Sequence, residues 1–179
     1  MNRETAYLVE QIIRDAGGKI VGCTRLQKTA YFLAVTGCGE DFDFRYKRLG
    51  PYSEEVAQAV DIGVLFGAIR EKEKKAIWGG FYSIYKVEGA DDLPSQPGDQ
   101  NVRRTVAHLC ANTGAIALEL ASTAVFLSKN GYENPWYETK RRKLEKAQSH
   151  FPAIRSFLAE MDDLPLPKAL PQLLPQEVQ

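Results

Sequence analysis

The chain has 179 residues, 44% apolar and 26% charged, with 23 basic and 23 acidic side chains. This is the balance of an ordinary globular protein, large enough to bury roughly two-thirds of its unfolded surface without disulfide or metal staples. The zero net charge lacks the basic excess of a dedicated nucleic-acid binder, and no apolar run reaches the length of about 18 residues that a membrane span needs.

The opening segment, MNRETAYLVEQ, is polar and then amphipathic, unlike a signal peptide. Ala6, Val9, Ile12, Ile13 and Ala16 recur at helical spacing and predict a helix over 4–16, stopped at Gly17-Gly18. Thr24-Arg25-Leu26-Gln27 has the pattern of a capping box, so a second helix is expected from Thr24 to Gly37, with Leu26, Ala30 and Leu33 inward. Phe42 to Tyr46 alternates apolar and polar and predicts a half-buried strand. Gly50-Pro51-Tyr52-Ser53 predicts a turn, because proline fixes its own φ and disfavours helix at the residue before it. Ser53 is then the cap of a third helix, with Glu54 and Glu55 in its first turn, Val56, Val60 and Val64 buried, and Gly67 at its end.

Residues 68–78 and 81–87 read as two strands joined at Gly79-Gly80, a dipeptide suited to tight hairpin turns. Residues 89–99 carry the glycine, aspartate, proline and serine of a linker. A helix from Asp99 or Gln100 carries Val102, Val106 and Leu109, and another from Thr113 carries Ile116, Leu120 and Ala124 before Asn130-Gly131. Asn134-Pro135 is a cap followed by proline at the first helical position, and Phe151-Pro152 opens a last helix with Ile154, Phe157, Leu158 and Met161. The expected fold is mainly α with a small β-hairpin or sheet (α+β). A winged-helix-like part over 1–88 packs on a helical part over 99–164 in one domain, and 165–179 form a flexible tail.

Catalytic signals are missing. No P-loop, GxGxxG, HExxH or GxSxG pattern occurs, and His108 and His150 lie on different helices without ligand-like spacing to a cysteine. Glu54-Glu55, Asp91-Asp92 and Asp162-Asp163 are adjacent pairs, and neighbours on a helix do not face one another. No cofactor or metal is expected. Cys23, Cys38 and Cys110 are dispersed and form no CxxC pair, which fits a reducing cytoplasm, with Cys23 and Cys110 as small core residues.

Two segments invite contact with a partner. Lys140-Arg141-Arg142-Lys143, followed by Lys146, is either an anion site or a solvated helix face that Glu138 and Glu145 partly compensate. Phe42, Phe44, Tyr46, Tyr52 and Trp78 are mostly core by type, except that Tyr52 stands on a turn and is placed to anchor a partner. The winged-helix order raises nucleic-acid binding, but the third helix brings Glu54, Glu55 and Asp61 where phosphates would lie. The wing strand Arg70-Glu71-Lys72-Glu73-Lys74-Lys75 mixes signs and reads as a solvated edge.

Leu26-Gln27-Lys28-Thr29-Ala30-Tyr31-Phe32-Leu33, Phe42-Asp43-Phe44-Arg45-Tyr46, Leu49-Gly50-Pro51-Tyr52-Ser53-Glu54-Glu55 and Gly67-Ala68-Ile69 together resemble the Panacea or SocA-like antitoxin domain family. The likeness is to its YwgA-like and phage-associated GepA-like branches and is carried by residues 4–87. It implies a mostly helical, non-enzymatic module that binds a protein. Family members neutralise toxins or deliver them to the ClpXP protease, and many are encoded by phages and mobile elements. The partner-binding residues this reading implies are Arg45, Lys47, Tyr52, Ser53 and Glu54, with Lys140, Arg141 and Arg142 from the basic segment. The alternative is a winged-helix regulator that binds nucleic acid.

Overall fold

A computed structural model describes residues 3–89 and 99–173. Seven helices and five strands are assigned among them: α1 (Arg3–Asp15), β1 (Lys19–Val21), α2 (Cys23–Val35), β2 (Arg45–Lys47), β3 (Gly50–Tyr52), α3 (Glu54–Leu65), β4 (Arg70–Lys75), β5 (Phe81–Lys86), α4 (Asp99–Asn112), α5 (Ala115–Lys129), α6 (Pro135–Arg142) and α7 (Leu144–Asp162). The class is mainly helical α+β, as the periodicities predict.

The first half has the connectivity of a winged helix. α1, β1, α2 and α3 precede the hairpin β4–β5, and β1 returns to pair with β5, giving the antiparallel order β1-β5-β4. α1 ends where Gly17 and Gly18 take positive φ, and the Gly18 amide reaches back to the Ile13 carbonyl at 2.9 Å. That backward bond satisfies a carbonyl the helix leaves open. β1 follows at once and is too short to show alternation in sequence.

The helical half packs on the same core. Ile12, Leu26 and Phe32 from the first half share one buried cluster with Val106, Leu120, Ile154 and Phe157 from the second. The Phe32 and Phe157 rings meet edge to face at 5.0 Å between centroids. Arg103 on α4 ties the halves with polar bonds, donating to Asp15 Oδ2 at 2.6 Å and to the Cys38 carbonyl at 3.1 Å.

Several expectations change. The second helix starts one residue before Thr24, with Gly22 at its cap and no side-chain cap bond. Thr24 and Gln27 form no capping box, because Gln27 is drawn inward to a different partner. The strand expected over 42–46 covers only Arg45–Lys47, and Gly50-Pro51-Tyr52 is its partner strand rather than a bare turn. The Gly79-Gly80 turn is a wider loop in which the Ala76 amide donates to the Gly80 carbonyl at 2.7 Å. α5 begins after Gly114, while the Thr113 hydroxyl bonds back to the Leu109 carbonyl of α4. α7 runs from Leu144 straight through Pro152. Proline there costs the bond to the Gln148 carbonyl but does not end the helix, because Ile154, Phe157, Leu158 and Met161 are anchored in the core beyond it.

Most of the expected linker, 90–98, lies outside the described residues, as does 174–179 of the expected tail. The preceding part of that tail packs: Leu170 and Leu173 are buried, and the Lys168 amide donates to the Thr36 carbonyl at 2.9 Å.

Candidate functional site

The Gln27-Lys28 and Pro51-Tyr52-Ser53 segments meet in one buried lock. The Gln27 carboxamide faces the backbone of Ser53: its Nε2 donates to the Ser53 carbonyl at 3.0 Å, and its Oε1 accepts from the Ser53 amide at 2.9 Å. The next residue, Lys28, is only 1% exposed and donates from Nζ to the Pro51 carbonyl at 2.7 Å. Ser53 also caps α3, its hydroxyl accepting from the Val56 amide at 3.4 Å. The hairpin β2–β3 is thereby pinned to α2 by side chains and to α3 by a cap.

Its other side presses on α5. Gly50 has φ +85°, and a Cβ there would lie 2.7 Å from Thr123 Oγ1. Under the hairpin is Glu119, 2% exposed and the single carboxylate of a largely apolar helix. Its carboxylate accepts from Lys143 at 2.6 Å and from Lys146 at 3.1 Å. Lys143 also donates to the Arg48 carbonyl in the β2–β3 turn. A cleft of about 420 Å³ lies between that turn and the α6–α7 corner.

Burial pulls the Lys28 ammonium down to about 8, with the Glu119 carboxylate acting to hold it up. An unfolded lysine titrates near 10.4, so between about pH 8 and 10 the unfolded chain binds more protons than the folded one. Stability therefore rises with pH in that window, relieving a cost on the order of 3 kcal/mol. Parallel melts of the protein and of Lys28→Met should show the native chain gaining on the variant from about pH 8 upward. A difference that is flat or falling there would contradict the assignment.

The lock uses up some of the side chains expected at a partner surface. Ser53 is fully buried and its polar groups are satisfied internally, so it does not face a partner. Arg45 and Glu54 are exposed but paired, with Asp43 at 3.1 Å and with Lys47 respectively. Lys47 also lies over the half-buried Tyr52 ring, 4.2 Å from its centroid. Arg45, Lys47 and Tyr52 therefore share the outer face of the hairpin, while Tyr46 turns the other way toward Phe126.

The basic segment is largely compensated. Glu138 accepts from Arg141 at 2.8 Å and from Arg142 at 2.7 Å. Those hydrogen bonds, that from Arg141 first, hold its carboxyl at about 2. The Arg142 guanidinium also lies 4.9 Å from the Tyr46 ring centroid, which joins the basic corner to the hairpin. Lys143 and Lys146 belong to Glu119 rather than to Glu145. Among 140–143, only Lys140 is exposed without an ion pair to the described residues.

Two residues expected in the core face water. Cys23 is exposed, whereas Cys110 is buried as expected. Trp78 is 82% exposed, beside Ile77 at 105% and Phe81 at 65%. Their strand-like composition is real, but Ile77 and Trp78 lie in the widened loop and Phe81 at the start of β5, where nothing covers them among the described residues. A groove of about 610 Å³ runs from this wing tip to the start of α2, lined by Cys23, Thr24, Lys75, Trp78 and Phe81. Among the described residues no group of three or more histidine, cysteine or acidic side chains is placed to hold a metal ion, and no helix is long and apolar enough to cross a membrane.

Compared with protein-family models, with the curated proteins and with solved structures, the chain matches none of them.

Proposed function

We propose that the chain is a non-enzymatic protein-interaction module of the antitoxin or proteolytic-adapter type, working in the cytoplasm on a protein partner such as a toxin or a protease system. The observation that carries this reading is the wing tip, where Ile77, Trp78 and Phe81 stand together in water above a groove. Exposed tryptophan is costly to leave bare, and buried aromatic anchors supply much of the energy of protein interfaces. The antitoxin or adapter character rests on the resemblance through the LQK and GPYS segments, which the Gln27 and Lys28 bonds join into one unit.

Trp78→Ala tests it. The side chain supports little of the core, so melting should stay within about 0.5 kcal/mol of the parent. Capture of the native partner from lysate, followed by titration with the purified partner, should weaken by about 2 kcal/mol, or roughly thirtyfold. No stoichiometric protein captured, or capture unchanged by the substitution, would remove the basis of the proposal.

The nucleic-acid reading draws on the winged-helix connectivity. Against it, exposed Glu54, Glu55 and Asp61 lie along α3, the helix that would approach the bases. Negligible binding of mixed DNA at low salt would end that alternative, whereas affinity falling by ~10³-fold or more between 50 and 200 mM salt would favour it.

A further inference from the structure

The wing strand mixes signs along the chain but sorts them in space. Successive residues of a strand point to opposite faces. Ile20 and Tyr85 are buried and face each other in register with Glu71, which marks the inner face. Arg70, Lys72 and Lys74 therefore project to the outer face, while Glu71 and Glu73 project inward. The neighbouring strands add to this. Lys19 pairs with Lys86, and Lys86 pairs with Arg70, so three cations stand in one row across the sheet. The next row holds Val21, Ile84 and Lys72, and beyond it Lys74 faces Tyr82.

All five cations are exposed, while Val21, Ile84 and Tyr82 are half-buried. Like charges directly opposite one another destabilise a sheet. Among the described residues the one ion pair of the five is Arg70 with Glu88, 2.9 Å apart at a corner of the patch. At ordinary strand spacing the face is about 10 Å across and roughly 13 Å long. An apolar centre bounded by charge is the anatomy of a protein interface.

We infer that this outer sheet face docks an acidic segment of a protein partner, its carboxylates on Lys19, Arg70, Lys72, Lys74 and Lys86 and its apolar side chains on Ile84 and Tyr82. The inference rests on the protein-binding reading above but is centred on the sheet face and not on the wing tip, the two adjoining at Tyr82, which also borders the groove. A protein fits better than a nucleic acid for two reasons. The patch is short for a phosphate backbone, and Glu88 stands at its corner beside Arg70, where a longer polyanion would meet it. The chain as a whole also carries no net charge to attract a polyanion.

The probe is a fluorescein-labelled peptide of alternating glutamate and leucine, titrated with the full chain at low salt and read by anisotropy. A single-stranded DNA of matched charge is the comparison. Lys72→Glu combined with Lys86→Glu should weaken peptide binding by at least ~10-fold. Lys86→Gln serves as the second variant. It removes a like-charge contact, so its melting temperature should hold or rise while peptide binding falls, a combination that a merely structural lysine would not give. Trp78→Ala should leave peptide binding unchanged. Failure of the native chain to bind the peptide, or binding indifferent to the lysine changes, would overturn the inference while leaving partner capture through Trp78 standing. Tighter binding of the DNA than of the peptide would overturn it in favour of a nucleic-acid surface.

Discussion

Glu119→Leu is expected to lower stability by about 3–5 kcal/mol, the largest loss foreseen for a single substitution here. The new side chain suits an apolar helix, so the cost does not come from packing on α5. It comes from the cations left behind. The Lys143 side chain is only 11% exposed and Lys146 is 41% exposed, so Lys146 can swing into water and Lys143 cannot easily follow. Lys28 is buried as well and loses the carboxylate that favours its charged form. For a chain of this size each kcal/mol moves the melting point by about 2–4 °C, so a fall of roughly 10 °C should be seen. Adding Lys143→Met should recover part of it, since replacing both members of a buried pair by apolar groups is far milder than removing one. Melting of the two single variants and the double variant measures the coupling. A Glu119→Leu protein that melts with the parent would show that the carboxylate holds nothing together.

Gln27→Leu is the second large effect, a loss of about 1–3 kcal/mol. The substitution preserves volume and apolar contact but strips the Ser53 amide of its partner, while the Ser53 carbonyl loses one of two donors and keeps the Ala57 amide at 3.2 Å. Each buried backbone group without a partner costs about 1–3 kcal/mol. Ser53 is fully buried, so bulk solvent does not reach the freed amide. Gln27→Glu separates the parts of the effect: a carboxylate can still accept from the Ser53 amide, but when ionised it can no longer donate to the carbonyl. It should therefore melt below the parent at neutral pH and recover ground as the solution is acidified, where a protonated acid can again donate. A Gln27→Leu chain unfolding at the parent's denaturant midpoint would mean that the paired bonds are not what fixes α3 to α2.

The helices were largely legible because their cues are local. Val9, Ile12 and Ile13, or Ile154, Phe157 and Leu158, announce a buried stripe wherever the chain goes afterwards. Elements set by distant partners were not. β1 is three residues long and is a strand only because β5 lies beside it. Pro152 resembles a helix start, and only tertiary anchoring on both sides carries α7 across it. Trp78 has the residue type of a core strand, but type does not say how far a hairpin extends beyond the body it belongs to.

The candidate surfaces followed the same division. Gln27-Lys28 and Pro51-Tyr52-Ser53 stood out as motifs, yet their contact spans 26 residues from Gln27 to Ser53 and no spacing rule reaches that far. The result is that Ser53, expected to meet a partner, turns out to serve the scaffold. Glu119 did leave a sign, a single carboxylate inside the apolar run of α5, and that anomaly could have been weighed. The cation face needed the register of three strands, one of them invisible in sequence, before Lys19 could be placed beside Lys86 and Arg70.

The alternation in β4 also bears on how the protein behaves in a crowded solution. β4 is the outer strand of its sheet, with a row of backbone groups open to any chain that can pair with them. The nearest such chain is often another copy of the same molecule. In a two-fold antiparallel pairing of identical strands, residues that end up opposite each other must point to the same face. Lysine or arginine from 70, 72 or 74 then meets lysine or arginine, and sliding the register to bring Lys75 opposite Glu71 or Glu73 still leaves Glu73 or Lys74, respectively, facing its own copy. Self-templated sheet growth is thus penalised in each such register, while a foreign strand with the opposite sorting of charge is not.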